Sequence, residues 1–463
     1  MSIEMDDISL QEQFEAVMAS NDHESIRVFL DDQNISDVAK LVEENPDVES
    51  SIISHLSIHR AASVFKILDP SDQKKIIEDL PEYKSVELLN ELPADDRVAF
   101  LEELPNSVVR ELIKTLDPDE RKITLELMGY PENSVGRLMT PDYVYVYEYN
   151  TVKEVLDTIR RFGTNSETID VIYVINYKGE LLDDIRIREI ILASPEQKMS
   201  ELMDDRFISL KANDDQEMAN EAFKMNNRVA LPVTDDQNIL LGIVTIDDVL
   251  WVANEEFTED IQKIGGTEAL EEPYLDISIF RLLKKRAGWL VILFLSEMLT
   301  ASAMQFFQHE IETATVLALF IPLIMSSGGN SGSQASTLII QAMALGELTI
   351  ADWWRVMRRE IMTGFMLGLI LGTIGLIRIF TWQTLHIFDY GAHWNLLAIT
   401  IFFSLIGIVL WGSLIGSMLP IILKKLKLDP ATSSAPFVAT LVDVTGIVIY
   451  FSVAYIFLKG ILL

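Results

Sequence analysis

One acid stands where an acid is costly. Asp443 lies in the run Ser434-Ala-Pro-Phe-Val-Ala-Thr-Leu-Val-Asp-Val-Thr-Gly-Ile-Val-Ile-Tyr-Phe, which stays apolar to Leu462. Such a run is long enough to cross a bilayer, which takes roughly 20 apolar residues. About ten residues of helix put Asp443 ~15 Å deep, near the midplane. A lone carboxylate there costs at least ~2.5–3.5 kcal/mol. No basic residue stands near it in the segment. A cation in transit would offset the charge. So would a proton, with the acid hydrogen-bonded to a neighbouring helix.

A second stretch with oxygen-rich side chains interrupts another apolar segment: Ser326-Ser-Gly-Gly-Asn-Ser-Gly-Ser-Gln-Ala-Ser-Thr337. Asn330 and Gln334 are four apart and share a helical face. Their amide oxygens suit a cation or its water shell. Small polar residues also let membrane helices approach closely, so a packing seam is the alternative. A third stretch, Asp247 to Ile264, pairs Glu255 with Glu259 and Glu256 with Asp260 at helical spacing. Like charges at that spacing repel by a few tenths of a kcal/mol. A cation on that face would relieve the repulsion; a solvated charged face is the plainer reading. Asp429, beside Lys424–Lys427, reads as an ion-pair partner or an inner cation site. Glu297 is a further acid inside an apolar segment.

The elements that must position these groups divide the 463 residues in two. Residues 281–463 carry 12 Lys/Arg against 9 Asp/Glu; with the whole chain at −33, the rest carries −36. Five apolar segments occupy the C-terminal part, near 287–308, 313–345, 357–383, 394–424 and 434–462. Basic residues cluster before the first, between the second and third, and between the fourth and fifth. By the positive-inside rule the N-terminus is cytoplasmic and the C-terminus outside. The first residues lack a basic start and an apolar run, so no cleaved signal is expected. With no Cys there are no thiolate metal sites, and the available ligands are hard oxygens. Mg²⁺ keeps its waters and asks for few protein oxygens, whereas a Ca²⁺ cage wants 6–8, which argues for Mg²⁺. An acidic surface repels nucleic acid. No P-loop, nucleophile motif or His cluster is present, so no enzyme is expected.

Residues 1–133 read as an all-α superhelical domain. Leu68, Leu80, Leu92, Leu104 and Leu116 recur every 12 residues, each followed within two positions by Pro70, Pro81, Pro93, Pro105 or Pro118. Proline suits a helix's first turn, so each unit is a short helix after a tight turn. Residues 134–254 hold a longer repeat, 134–197 and 198–254. Each half runs from a strand (Tyr143–Tyr147; Phe207–Leu210) through a helix (Val152–Arg161; Gln216–Met225) to two strands and a second helix. Ala230-Leu-Pro-Val233 and Gly242-Ile-Val-Thr-Ile-Asp-Asp-Val249 resemble a tandem CBS pair, an α/β module that dimerises and often binds adenine nucleotides. The first copy has Asp183 and Arg186 where the second has Gly242 and Thr245. Residues 255–280 are expected to link this pair, through an acidic helix ended by Gly265-Gly266, to a membrane domain of five helices over 281–463.

That order resembles the MgtE family of Mg²⁺ channels over nearly the whole chain. Its sharpest motifs are Gly328-Gly-Asn-Ser-Gly-Ser-Gln334, Asp429-Pro-Ala431 and Pro436-Phe-Val-Ala-Thr-Leu-Val-Asp-Val-Thr-Gly446. The resemblance implies a homodimer in the inner cell membrane with the pore on its axis. By the resemblance Asp443, with the backbone near Ala439, would hold hydrated Mg²⁺ in the pore, and the amide of Asn330, read above from its spacing, would add an oxygen to that path. It also implies closure by cytoplasmic Mg²⁺ on acidic soluble domains and the "plug" helix, at Glu256, Glu259, Asp260, Asp429, Asp248, Glu217 and Asp95 or Asp96. Some relatives bind ATP at the CBS pair. Two other expectations compete: transport of Co²⁺, Ni²⁺ or Mn²⁺, and a non-transporting sensor of Mg²⁺ or nucleotide.

Overall fold

The computed structural model describes residues 9–20, 22–270, 274–275 and 277–461. The chain forms two compact units, residues 1–254 and 255–463.

The first unit begins with ten short helices, from Leu10–Ala19 to Pro118–Leu127. The twelve-residue punctuation has a direct cause. A residue before proline is steered out of the helical region, and Leu80 and Leu92, each followed by proline, leave the helix at ψ 147° and 139°. Pro81, Pro93 and Pro105 then cap the next helices, while Pro70 and Pro118 open theirs. All five leucines are buried in one core, so the repeat marks the turns that point inward rather than a helix face. Arg97 is fully buried at the end of this stack. Its guanidinium donates to the Leu89 and Leu92 carbonyls at 3.1 Å, to Thr124 Oγ1 at 2.9 Å and to Glu120 at 2.5 Å. Removing one partner of a buried cation so paired is strongly destabilising, because the other charge is left uncompensated.

Two three-stranded sheets follow with the same topology. In the first, β1 (Tyr143–Tyr147) pairs parallel with β2 (Thr168–Ile175), which pairs antiparallel with β3 (Leu181–Arg186). In the second, β4 (Leu210–Lys211), β5 (Ala230–Thr234) and β6 (Leu240–Thr245) repeat the arrangement. The β-rich run Phe207–Leu210 shrinks to the two residues of β4. The copies are joined by exchanged bonds at the β3 and β6 ends, Leu181 N–H to Asn238 O at 2.9 Å and Leu240 N–H to Gly179 O at 3.0 Å. Their departure from each other has a structural meaning. A Cβ at Gly242 would lie 2.7 Å from Thr140 O, so glycine lets the chain leading into the first copy pass against β6. In the other copy Asp183 bridges instead, its carboxylate accepting from the amides of Asp204 and Asp205 at 2.7 and 3.2 Å.

The linking helix runs Ile246–Ile264, starting directly at the end of β6. Gly265 and Gly266 end it, Gly266 at φ +76°. The helix expected in 255–280 is thus confined to its first ten residues; 271–273 and 276 lie outside the described residues.

Among the described residues of the second unit five helices are long and apolar enough to cross a membrane: Ile279–Phe306, Ile321–Ala344 (with a preceding turn from Thr315), Trp353–Thr384, Trp394–Lys425 and Ala435–Leu458. They are the first to fifth membrane helices below. The polar stretch Ser326–Thr337 does not break the second helix, which is continuous. Its glycines serve contact. A Cβ on Gly412 or Gly416 of the fourth helix would overlap the carbonyl oxygen of Gly328 or Gly332 of the second. Two small-xxx-small pairs therefore bring the backbones together. Gly364, Gly368 and Gly372 of the third helix do the same against the fourth, where a Cβ on Gly368 would sit 2.7 Å from Ile406 Cα. Two buried hydroxyls of the second helix find partners beyond it: Ser331 Oγ lies 2.8 Å from Ser413 Oγ of the fourth helix, and Ser336 Oγ donates to Ser433 O, just before the fifth helix, at 2.9 Å.

Candidate functional site

Ser434 caps the fifth membrane helix, accepting from Phe437 N–H, and Pro436 sits in its first turn. Asp443 follows two turns later, half-buried. Its carboxylate has no hydrogen-bond or ion-pair partner among the described residues; the other charge that reaches it is the carboxylate of Glu297. The second helix passes closely here. A Cβ on Gly329 would lie 3.4 Å from the Ala439 methyl and 3.8 Å from Asp443 Oδ1. Glycine at 329 thus keeps the space beside the acid open. The next residue, Asn330, is exposed on the protomer, its Nδ2 3.4 Å from Ser326 Oγ. Ser326, Asn330 and Gln334 form an exposed polar stripe at four-residue spacing on an otherwise apolar helix. Asp443, Ala439 and Asn330 are therefore brought into one neighbourhood, rich in oxygen and free of fixed positive charge.

The acids nearer the linking helix are arranged differently. Lys263 Nζ lies 2.5 Å from Glu259 Oε1 and 2.8 Å from Asp429 Oδ2. The Glu259 contact is the one-turn spacing within a helix; Asp429 comes from the turn before the fifth membrane helix. The other Asp429 oxygen accepts from Ala431 N–H at 2.8 Å, which caps that turn. The partner of Asp429 is thus Lys263, not the neighbouring Lys424–Lys427. Asp260 is pushed up to about 6 by burial first and by Asp429 next. Glu256 lies half-buried on the same helix, one turn before Asp260. A Cβ on Gly266 would meet the Trp289 ring at 2.9 Å and Pro436 at 3.3 Å. The chain leaving the linking helix therefore runs against the first turn of the helix that carries Asp443.

In the soluble unit the helix Ala94–Glu102 brings Asp95 and Asp96 toward Glu167, Asp247 and Asp248. Asp95 is 6% exposed and its Oδ1 has no partner. Lys66 Nζ faces the group, 3.4 Å from Asp96 and 3.8 Å from Glu167. Burial, with the charges of Asp248 and Asp96, raises Asp95 well above the usual carboxylate range. Burial pushes Asp248 up to about 7 and Asp96 to about 6, against the opposing pull of a Thr245 hydrogen bond and of Lys66. Glu217 stands apart in character, exposed in the first turn of Gln216–Asn226, where it complements the helix dipole. No three His, Asp or Glu side chains converge as a ready metal cage among the described residues. The acids are crowded, but not preset as a coordination shell. Sequence reasoning missed Lys66, Glu167 and Lys263; only Lys263 left a signal, its four-residue spacing from Glu259.

Comparison with known proteins agrees with this layout. Family models match over 33–133 (MgtE intracellular N domain), over 135–196 and 199–255 (CBS domain) and over 321–453 (divalent cation transporter). The magnesium transporter MgtE of Thermus thermophilus is 39% identical over 335 residues, 72% of each chain. That of Bacillus subtilis is 31% identical over 334 residues, again 72% of each. Among solved structures, the cytosolic domain of the Mg²⁺ channel MgtE in complex with ATP matches 52% of this chain and 99% of its own, with 32% identity and a TM-score of 0.51. The soluble part of a magnesium transporter matches 54% and 99%, at 23% identity and a TM-score of 0.50, and shares the fold. This chain, a multi-pass membrane protein with a helical N-terminal domain and a CBS pair, belongs to the MgtE family of magnesium transporters.

Proposed function

We propose that the chain is a homodimeric Mg²⁺ channel of the inner membrane, with its N-terminus in the cytoplasm, its C-terminus outside, and cytoplasmic Mg²⁺ closing it. The observation that carries the conducting half is Asp443, a carboxylate inside an apolar helix with no hydrogen-bond or ion-pair partner among the described residues. Asn330 and the backbone near Ala439 add oxygens beside it. A few fixed oxygens suit an ion that crosses with its waters, and two copies on a two-fold axis would give two charges to one dication. The exposed stripe Ser326, Asn330 and Gln334 supports placing that axis on this face, since polar side chains against lipid are costly.

The closing half rests on the crowded acids. Asp95, Asp96 and Asp248, with Glu167 and Asp247, repel one another across the helical domain and the CBS pair. A dication there replaces repulsion with attraction. Asp95 Oδ1, buried and unpartnered, is the oxygen most in need of it. Glu256, Glu259, Asp260 and Asp429 offer a second group beside the mouth of the fifth helix, and Glu217 a peripheral one. An ion shifts the open–closed balance only by its preference for the closed state. A swing from 1:99 to 99:1 takes ~5.5 kcal/mol, so several weak sites must act together. The likeness to the ATP-bound relative supports ATP at the CBS pair, and titration calorimetry with ATP checks it. Mg²⁺ flux into proteoliposomes, with and without Mg²⁺ on the cytoplasmic side, tests the whole. Flux that ignores cytoplasmic Mg²⁺ would refute closure; no flux would favour a sensor, and faster flux of Co²⁺, Ni²⁺ or Mn²⁺ would change the ion.

A further inference from the structure

Glu297 is an acid in the first membrane helix that the mechanism above leaves without a task. Its level in the membrane can be fixed from two contacts. Near the start, Trp289 Nε1 donates to Ser434 Oγ at 3.0 Å. Near the other end, the Phe307 and Phe451 rings stack at 4.6 Å. Eighteen residues separate the contacts on the first helix and seventeen on the fifth, so the two helices run parallel and in step. Glu297 is eight residues beyond Trp289, and Asp443 nine beyond Ser434. At ~1.5 Å per residue they rise about 12 Å and about 13.5 Å from the shared tie. The two acids therefore stand at one level of the bilayer, on helices that pack together.

Neither acid has a hydrogen-bond or ion-pair partner among the described residues, and the charge of Glu297 reaches Asp443. Glu297 is exposed on the protomer. One turn further, Thr300 is the single residue the first helix fully buries among those described, 4% exposed, and its Oγ1 has no partner. Two unpaired carboxylates thus stand at one level, with a buried unpaired hydroxyl one turn beyond the first. We infer that Glu297 is a second acid of the ion path and sets its preference for divalent over monovalent cations, an inference that rests on Asp443 lining that path. Two adjacent negative charges are matched by one dication and left half-matched by Na⁺ or K⁺.

The experiment uses the full-length protein in liposomes, with MgCl₂ and NaCl as the probes. Asp443→Asn is measured first. If it conducts Mg²⁺ like the wild type, the pore assignment falls, and this inference with it. If it is silent, Glu297→Gln decides the inference alone. The expected result is an about tenfold rise in the Mg²⁺ concentration giving half-maximal flux, with a matching fall in Mg²⁺-over-Na⁺ preference; an unchanged preference overturns it. Because the chain has no cysteine, Glu297→Cys gives a second arm that does not depend on the first variant's folding. A thiol reagent bearing an acid should restore the preference, and one bearing an amine should lower Mg²⁺ flux further. Labelling without a change in preference, or no labelling from water, overturns the inference.

Discussion

Asp443 and the acids around Asp95 both hold more negative charge than the protein balances, one by isolation and the other by crowding about a single lysine, Lys66. Asp443 lies within an apolar helix with no partner among the described residues, so on the function proposed above its demand for a cation does not depend on how the soluble unit is arranged. On the same proposal, Asp95, Asp96, Glu167, Asp247 and Asp248 would call for one only while the helical domain and CBS pair hold them together; apart, water would screen each. Isolation suits a group that every passing ion visits. Crowding suits a group whose demand for an ion depends on shape. The cluster at Lys263 is an instructive contrast: there one lysine answers both Glu259 and Asp429, whereas Lys66 answers only Asp96 and Glu167 of the five acids in the crowd.

The sharpest break of this comparison is at the isolated acid. Asp443→Asn keeps the shape and removes the charge, and Mg²⁺ flux should fall by at least about a hundredfold with the fold intact, on the scale of a lost intramembrane charge contact. Wild-type flux from a well-folded variant would rule out the assignment. Next comes the crowd: Asp95→Asn with Asp248→Asn should raise the cytoplasmic Mg²⁺ needed for closure by about tenfold, within the usual range of coupling energies. Mg²⁺-over-Na⁺ preference should not change, and a changed preference would erase the division of labour.

A pH titration of residues 1–254 in chelator sharpens the same point. Asp96 at about 6 and Asp248 at about 7 lie above the unfolded value of ~3.9, so between those limits the folded state holds more protons than the unfolded. The cost of ionising them is absent below ~3.9 and complete above about 7, so stability should rise as pH is lowered from 7.5 to 5.5. A gain of about 5 °C in Tm is expected, vanishing in saturating Mg²⁺, which favours the ionised forms. A Tm that drops on acidification in chelator would show that the acids are not crowded in solution. The smallest effect belongs to Lys263→Met. Freed of its built-in competitor, the Glu259–Asp429 pair should take Mg²⁺ about twofold to threefold more tightly, within the worth of a partly exposed ion pair. Mg²⁺ dependence of protease protection measures it, and weaker binding would mean that Lys263 assists rather than competes.

Much of this was readable before any coordinates. The twelve-residue leucine–proline punctuation is local chemistry, as is the strand–helix–strand–strand order of each CBS copy. Asp443 was legible because a single acid in an apolar run needs no partner to be conspicuous. What was not legible is what long-range packing assembles. Lys66 meets Glu167 across 101 residues, Lys263 meets Asp429 across 166, and no spacing rule reaches so far. Glu297 was visible as an acid, but its level beside Asp443 follows only from Trp289 meeting Ser434 and Phe307 meeting Phe451. Asp183 was visible as a departure, while its use, receiving two amides that the other copy handles with Gly242, was not.

The glycine seam between the second and fourth membrane helices carries a consequence for how the proposed pore would open. With Gly412 and Gly416 laid against the carbonyls of Gly328 and Gly332, the two helices have no side-chain cushion to slide on. They must travel as a single rigid plate, with the third helix fastened to its back by the same device. Any gate then belongs to what is free of that plate. That is the first helix, almost unburied along its length, whose Trp289 meets Gly266 and, at the start of the fifth, Ser434. A substitution that pries the plate apart should damage assembly, whereas one at this hinge should leave a sound protein with altered opening.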